Sequence, residues 1–270
     1  MGASTRGKPS LAGDPRRGTI PSRGERIGLR SLGACAGTGP RLAIILAALT
    51  CASVAQSPFP AGPVDEPPNV GDVKNAAVAY HDSGRYERDL ASVTARARAW
   101  IDERARQVDR PAIVFDVDDT ALSNWEVIRA DDFGRVFGGP CEALPEGPCG
   151  WVNWDLMGRS VALQATLDLY RSIRSQGVAV FFITGRDEPQ RAATEMNLRQ
   201  AGYAEYVRLE MVSFDAPHYA SAADFKAPRR AAIEAEGYRI IANVGDQPSD
   251  LAGGFAERTF LLPNPFYRIP

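Results

Sequence analysis

The chain has 270 residues, of which 44% are hydrophobic and 24% charged, enough to bury one full core. Its formal net charge of −2 is unevenly spread: the first 41 residues carry eight Lys or Arg against two acids, leaving −8 for the remainder. An acidic body argues against a nucleic-acid polymer as partner, and the two histidines, His81 and His218, exclude phosphohistidine chemistry at an Arg-His-Gly turn and a histidine-rich binuclear metal site.

The basic start runs into an uncharged stretch from Leu42 to Ala55, too short to span a bilayer comfortably and ending in small residues. Residues 1–55 therefore read as a secretory signal with an extended basic leader, cleaved before Gln56 after Ser53-Val54-Ala55. The expected destination is the periplasm or the exterior. The rival readings are an anchor retained in the membrane and a lipid-modified Cys51, although Leu-Thr before that cysteine fits a lipobox poorly. Residues 56–68 are Pro-rich and polar, a linker before one domain over 69–270.

Asn69 is placed to cap a short helix carrying Val70, Val73, Ala77 and Tyr80, which ends near Ser83 and Gly84. A longer helix follows, with Tyr86, Leu90, Val93, Ala97, Trp100 and Ile101 turning one face inward. After Pro111 the period changes, and Ala112 to Phe115 is a continuous apolar run that suits a strand covered on both faces. Helices are expected at Val161–Gln176, capped by Ser160, at Pro189–Ala201, opened by an Asp187/Gln190 capping box, and at Pro228–Glu236. Strands are expected at Val178–Ile183, between Tyr206 and Phe214, at Arg239–Asn243 and at Arg258–Leu262. Such alternation predicts a three-layer, Rossmann-like α/β fold with a mainly parallel sheet and ligands beyond the strands' C-terminal ends.

Residues 121–160 interrupt the alternation as an insertion directly after the first strand. It holds Cys141 and Cys149 in the loop PCEALPEGPCG, an even pair in an exported chain, which predicts a disulfide rather than half of a zinc site. Trp125, Trp151 and Trp154 flank that loop. They fit an aromatic lid over a site and a small satellite core equally well.

The strand ends carry the chemistry. The first strand leads into Asp116-Val-Asp118-Asp119-Thr120, the second into Thr184-Gly185-Arg186, Lys226 precedes the helix of Pro228, and the fourth strand leads into Gly245-Asp246-Gln247-Pro248-Ser249-Asp250. Phosphoryl transfer uses each of these. The substrate dianion repels an anionic nucleophile, so its charge must first be neutralised. Magnesium prefers hard oxygen ligands, and the carboxylates of Asp116 and Asp246 with the backbone carbonyl of Asp118 suit it. Asp116 would then attack phosphorus, and Asp118, two residues on, would serve as acid and base in turn. Thr184 and the Gly185 amide would hold phosphate oxygens, Lys226 would add positive charge, and Asp250 would orient Lys226 or a bound water. No GxSxG is present, which removes the usual serine hydrolase, and GTGP at Gly37–Pro40 lacks the Lys of a phosphate loop.

VFDVDDT, FFITGR, a downstream Lys and NVGDQPSDL resemble, in order, the four motifs of the haloacid-dehalogenase (HAD) superfamily of phosphatases. Asn243 to Asp250 and the tail LLPNPFYRIP more narrowly resemble the class B, plant-type acid phosphatases (subfamily IIIB) and the vegetative storage proteins. The similarity runs from about Val70 to Pro270. It implies a Mg²⁺-dependent acid phosphatase acting on small phosphorylated organics, with Asp116 as nucleophile and Asp118 as acid/base. It further implies metal binding by Asp116, Asp118 and Asp246, and phosphate binding by Thr184 and Lys226. The alternative within the same fold is a storage or ligand-binding protein that has lost turnover.

Overall fold

The computed structural model describes residues 66–216 and 219–270. The leader, the cleavage site, Cys51 and most of the linker fall outside these residues. In chain order the elements are α1 (Val70–Asp82), α2 (Arg85–Arg104), β1 (Pro111–Phe115), β2 (Leu122–Ser123), α3 (Trp125–Ala130), α4 (Trp151–Met157), β3 (Val161–Ala162) and α5 (Gln164–Arg174). They continue with β4 (Ala179–Asp187), α6 (Arg191–Gln200), β5 (Arg208–Val212), α7 (Ala222–Ala235), β6 (Arg239–Gly245), α8 (Pro248–Leu251) and β7 (Thr259–Leu261). Among the described residues no helix is long and apolar enough to cross a membrane.

β1 stands at the centre of a five-stranded sheet of order β5-β4-β1-β6-β7 in which every pairing is parallel. Its apolar run is buried on both faces, and the pleat divides it. Ile113 and Phe115 join the large core that also contains the α2 stripe of Tyr86, Leu90, Val93, Ala97 and Ile101. Ala112 and Val114 face a second core with Phe225 and Ile233 of α7. Helices thus cover both faces of the sheet, the three-layer α/β fold expected.

Register decides where the polar residues emerge. Phe115 pairs with Phe182 of β4 on one side and Val244 of β6 on the other. The residues that follow these three therefore leave the sheet at a common edge, the C-terminal one.

Several boundaries differ from the sequence expectation, each for a local reason. The helix expected from Val161 begins at Gln164, because Val161 and Ala162 pair antiparallel with Ser123 and Leu122. Ser160 is not its cap: its N–H donates to Asn197 Oδ1 (3.1 Å) and its hydroxyl to Asn124 Oδ1 (3.3 Å). This small ribbon closes the insertion at its neck. The helix expected from Pro228 begins six residues earlier, at Ala222, where Ser221 and Asp224 form a reciprocal capping box. Pro228 lies inside α7, so Lys226 sits on that helix and does not precede it. The helix expected over Pro189–Ala201 opens as a short 3-10 turn, Glu188–Gln190, with the Asp187/Gln190 box in place, and becomes α-helical at Arg191. β4 continues beyond Ile183 to Asp187, so Thr184 and Gly185 are strand residues.

The insertion has its own anchor. Cys141 and Cys149 form a disulfide, and Cys149 packs with Val127 and Trp154 in a satellite core. Trp154 is buried there and donates its indole N–H to Asn124 Oδ1 (2.8 Å). Trp125 stacks on His81 with ring centroids 3.7 Å apart, whereas Trp151 lies edge-on to Tyr267 at 5.5 Å. The three tryptophans divide: Trp154 builds the satellite core, Trp125 packs against the large core, and Trp151 lines a cleft.

The crosslink closes a short loop, so replacing both Cys141 and Cys149 by Ser should lower the unfolding free energy by about 2–3 kcal/mol. Urea denaturation of the oxidised wild type against the double variant measures this. A difference below about 0.5 kcal/mol would mean that the satellite core alone holds the loop.

Candidate active site

Asp116 follows β1 directly and is 6% exposed, with its N–H bonded to Val244 O (3.0 Å). The turn behind it is tight. Ala121 and Leu122 both donate to Val117 O, and Asp119 takes a left-handed conformation (φ 52°), which Asp tolerates better than most residues. Asp119 Oδ1 accepts the Asn124 N–H (3.0 Å) and its Oδ2 accepts the Tyr267 hydroxyl (2.8 Å), so this carboxylate fixes the turn.

Lys226, buried on α7, reaches across to the nucleophile candidate. Its ammonium donates to Asp116 Oδ1 and, at 2.6 Å, to Asp250 Oδ1. Asp250 also accepts the Gln247 N–H on Oδ2 (2.9 Å), which ties it to the start of α8. Asp246 is held by three donors: Thr120 Oγ1 to Oδ1 (3.0 Å), and Gln247 Nε2 (2.6 Å) and Asn264 Nδ2 (2.7 Å) to Oδ2. One carboxylate oxygen from each of Asp116, Asp246 and Asp250 lies within 4.8 Å of the others. Three acids against one ammonium leave negative charge uncompensated. The donors are all hard oxygens, so the cluster suits a hard divalent cation.

Asp118 belongs to a neighbouring arrangement. Arg186 grips its carboxylate through Nη2 to Oδ1 (2.6 Å) and Nε to Oδ2 (3.1 Å), and Asn124 Nδ2 adds a third bond at 2.9 Å. The side chain of Asp118 is thus engaged by a guanidinium, whereas that of Asp250 joins Asp116 and Asp246. Thr184 is fully buried, its Oγ1 accepting the Arg186 N–H (3.1 Å) and lying 3.5 Å from Asp118 Oδ2. Gly185 lines the cleft, and a side chain there would meet nothing within 4 Å.

Burial pushes the Asp116 carboxyl well up, against the pull of Lys226. Burial likewise raises Asp246 to about 7, helped by the charges of Asp250 and Asp119. For Asp118 burial acts in the same direction, but the charge and hydrogen bonds of Arg186 outweigh it and the carboxyl falls below its usual range. Lys226 loses solvation on burial, yet Asp116 and Asp250 more than compensate and raise it. The floor therefore offers a firmly charged ammonium and two kinds of carboxyl, one held ionised and the others easily protonated.

The cleft encloses about 250 Å³ and is lined by Asp116, Asp118 and Lys226 together with Arg135, Trp151 and Tyr267. Every site residue expected from the sequence except the fully buried Thr184 lines it or belongs to the acidic cluster. The structure adds Asn124, Asp155, Asn264 and Tyr267. Asn264 and Tyr267 fall in the tail LLPNPFYRIP already singled out, while Asn124 and Asp155 carry no local signal.

The family profile described as HAD superfamily, subfamily IIIB (acid phosphatase), matches residues 61–270. The chain belongs to this acid phosphatase family. Acid phosphatase 1 of Solanum lycopersicum is 36% identical over 173 residues, 62% of this chain and 64% of that protein, so the match spans a little under two thirds of its length. The stem 28 kDa glycoprotein of Glycine max is 34% identical over 198 residues, 72% of this chain and 74% of its own. Vegetative storage protein 1 of Arabidopsis thaliana is 27% identical over 192 residues, 70% of this chain and 67% of that protein. Among solved structures, the class C acid phosphatase from Bacillus anthracis superposes with a TM-score of 0.56 at 20% identity, covering 73% of this chain and 85% of that one, and shares the fold. The family is one of phosphomonoesterases, and the HAD acid phosphatase fold is the one the described domain adopts.

The buried ammonium is the keystone of the acidic cluster. Lys226→Met should destabilise the metal-free protein by about 3–5 kcal/mol, because two buried carboxylates lose their common partner. Thermal or urea unfolding in EDTA measures it. A loss below about 1 kcal/mol would show that Asp116 and Asp250 are neutral in the folded state.

Proposed function

We propose that the chain is an exported acid phosphatase that hydrolyses small phosphomonoesters through an aspartyl-phosphate on Asp116, with Mg²⁺ as cofactor. The observation that carries this reading is the convergence of Asp116, Asp246, Asp250 and Lys226 at one sheet edge, with Asp118 beside them. Asp116 and Asp246, with the backbone carbonyl of Asp118 and support from Asp250, would hold the ion. Bound there, Mg²⁺ would offset the charge of the substrate dianion and of the pentacoordinate transition state.

The protein's own groups account for the remaining steps. Lys226, charged and opposed to the acids, draws in a phosphate oxygen, while the Gly185 amide orients another and the buried Thr184 hydroxyl braces the Arg186 N–H behind the cleft. Asp116 attacks phosphorus in line, forming a carboxylate–phosphorus bond as the ester oxygen departs. Asp118 gives that oxygen its proton, then removes one from the water that cleaves the intermediate and releases phosphate. Arg186 keeps Asp118 ionised in the empty cleft. An arriving phosphate dianion adds negative charge beside it and favours the protonated form that the first step needs.

The size of the cleft supports small esters over polymers. Export is supported by the Cys141–Cys149 crosslink together with the signal-like first 55 residues. A storage or ligand-binding role is the second reading, favoured by the storage-protein relatives. The intact nucleophile and its ammonium partner weigh against it.

Asp116→Asn should lower phosphate release from 4-nitrophenyl phosphate by about 10⁴-fold or more while the far-UV circular dichroism stays native. Activity within tenfold of wild type in that variant would end the proposed mechanism. Metal binding should also respond to pH. Asp246, raised to about 7, carries a proton below that value, so the cation must displace it. Mg²⁺ affinity measured by calorimetry should weaken by about tenfold per pH unit below roughly 6, with proton release on binding. An affinity that does not change between pH 5 and 8 would remove Asp246 from the metal's ligands.

A further inference from the structure

Asp155 lies on α4, inside the insertion, and no motif marks it. It is 7% exposed and lines the same cleft as Asp116 and Asp118. Its Oδ1 lies 3.0 Å from Arg186 Nη2, the nitrogen that also donates to Asp118 Oδ1 at 2.6 Å. Its Oδ2 accepts the side-chain amide of Gln190 at 2.8 Å, which holds the carboxylate in place. Arg186 is 4% exposed, and its Nη1 donates to Thr194 Oγ1 at 3.2 Å. The planar guanidinium is thus hydrogen-bonded to Asp118 and to Thr194, and meets the insertion through an ion pair with Asp155, whose Oδ1 accepts no hydrogen bond.

A buried carboxylate and a half-buried one sharing a single guanidinium are an expensive way merely to clamp a lid. A neutral amide at position 155 would hydrogen-bond Gln190 without burying a charge. The charge has a use of its own: attracting Nη2 from the side of the insertion, it sets where the guanidinium rests and so where its side-on grip meets Asp118. We infer that Asp155 is a positioning residue through which the insertion sets the orientation of Asp118, by way of Arg186. This rests on the reading of Asp118 as the acid/base.

The consequence is chemical and selective. When the ester bond breaks, the Asp116–phosphorus bond forms and the electron pair leaves on the ester oxygen, which takes the Asp118 proton. A basic alkoxide needs that proton, whereas a 4-nitrophenolate departs largely without it. Misorienting Asp118 therefore slows cleavage of the intermediate equally for every ester, but slows its formation, the step that kcat/KM reports, far more for alkyl than for activated aryl esters. Damage to the nucleophile or the acidic cluster slows both alike.

The test compares kcat/KM, which reports only the steps up to departure of the alcohol, for wild type and Asp155→Asn on ethyl phosphate and 4-nitrophenyl phosphate, at saturating Mg²⁺. The expected result is a kcat/KM loss of about tenfold or more on ethyl phosphate and under about threefold on the aryl ester. Asp155→Glu, which keeps the charge, should recover part of the alkyl activity. Equal losses on the two esters, or no loss on either, would overturn the proposal. Should Asp155→Asn not fold, Gln190→Met leaves the carboxylate present but unanchored, and the absence of the same split there overturns it equally. If the wild type turns over neither ester, the phosphatase reading itself fails and this inference with it, an outcome visible before any variant is made.

Discussion

A buried ammonium between two buried carboxylates is the constraint around which this molecule is arranged. Lys226 can sit in the interior only because Asp116 and Asp250 meet it there, and those acids tolerate burial only because it meets them. The three come from α7, the end of β1 and α8, so the ion pairs bind together elements distant in the chain. Asp246 then adds a charge that Lys226 does not answer. The resulting excess of negative charge, facing an open cleft, makes the site chemically expectant rather than merely stable.

A second arrangement lies beside the first and uses the opposite strategy. Around Asp118 the cation is an arginine, whose fork fixes direction as well as charge, and the acid is pulled below its normal range instead of raised. Two aspartates two residues apart on one turn are thereby given different chemical characters by the residues that reach them. Asp119, the third acid of the same turn, is spent on architecture, accepting bonds from Asn124 and Tyr267.

The strand ends were legible because their signals are local: an apolar run, then a change of character to acids, glycine or threonine. The order of the strands was not: it is the structure that sets β1 next to β6, and their parallel pairing brings Asp116 and Asp246 out at one edge. The position of Lys226 was less legible. Pro228 reads as a helix start, while the true cap, Ser221 with Asp224, lies about two turns earlier in a segment of unremarkable composition. Val161 and Ala162 carry an ordinary helical pattern, but pairing across the neck of the insertion overrides it. Asp155 and Asn124 were illegible for another reason: Asp155 meets Gln190 35 residues away and Asn124 meets Trp154 30 residues away, separations longer than a periodicity window.

The two-stranded ribbon at residues 122–123 and 161–162 means that the insertion departs from and rejoins the sheet at a single doorway. Whatever happens to the length or composition of the segment between leaves the pairing of the central strands untouched. Such a segment is a module in the engineering sense, open to exchange for a longer, shorter or differently furnished cover on the same catalytic floor. The exchange has two conditions: any replacement must keep Asn124 on the turn of Asp118 and Asp119, and must bring its own anion to the inner side of Arg186.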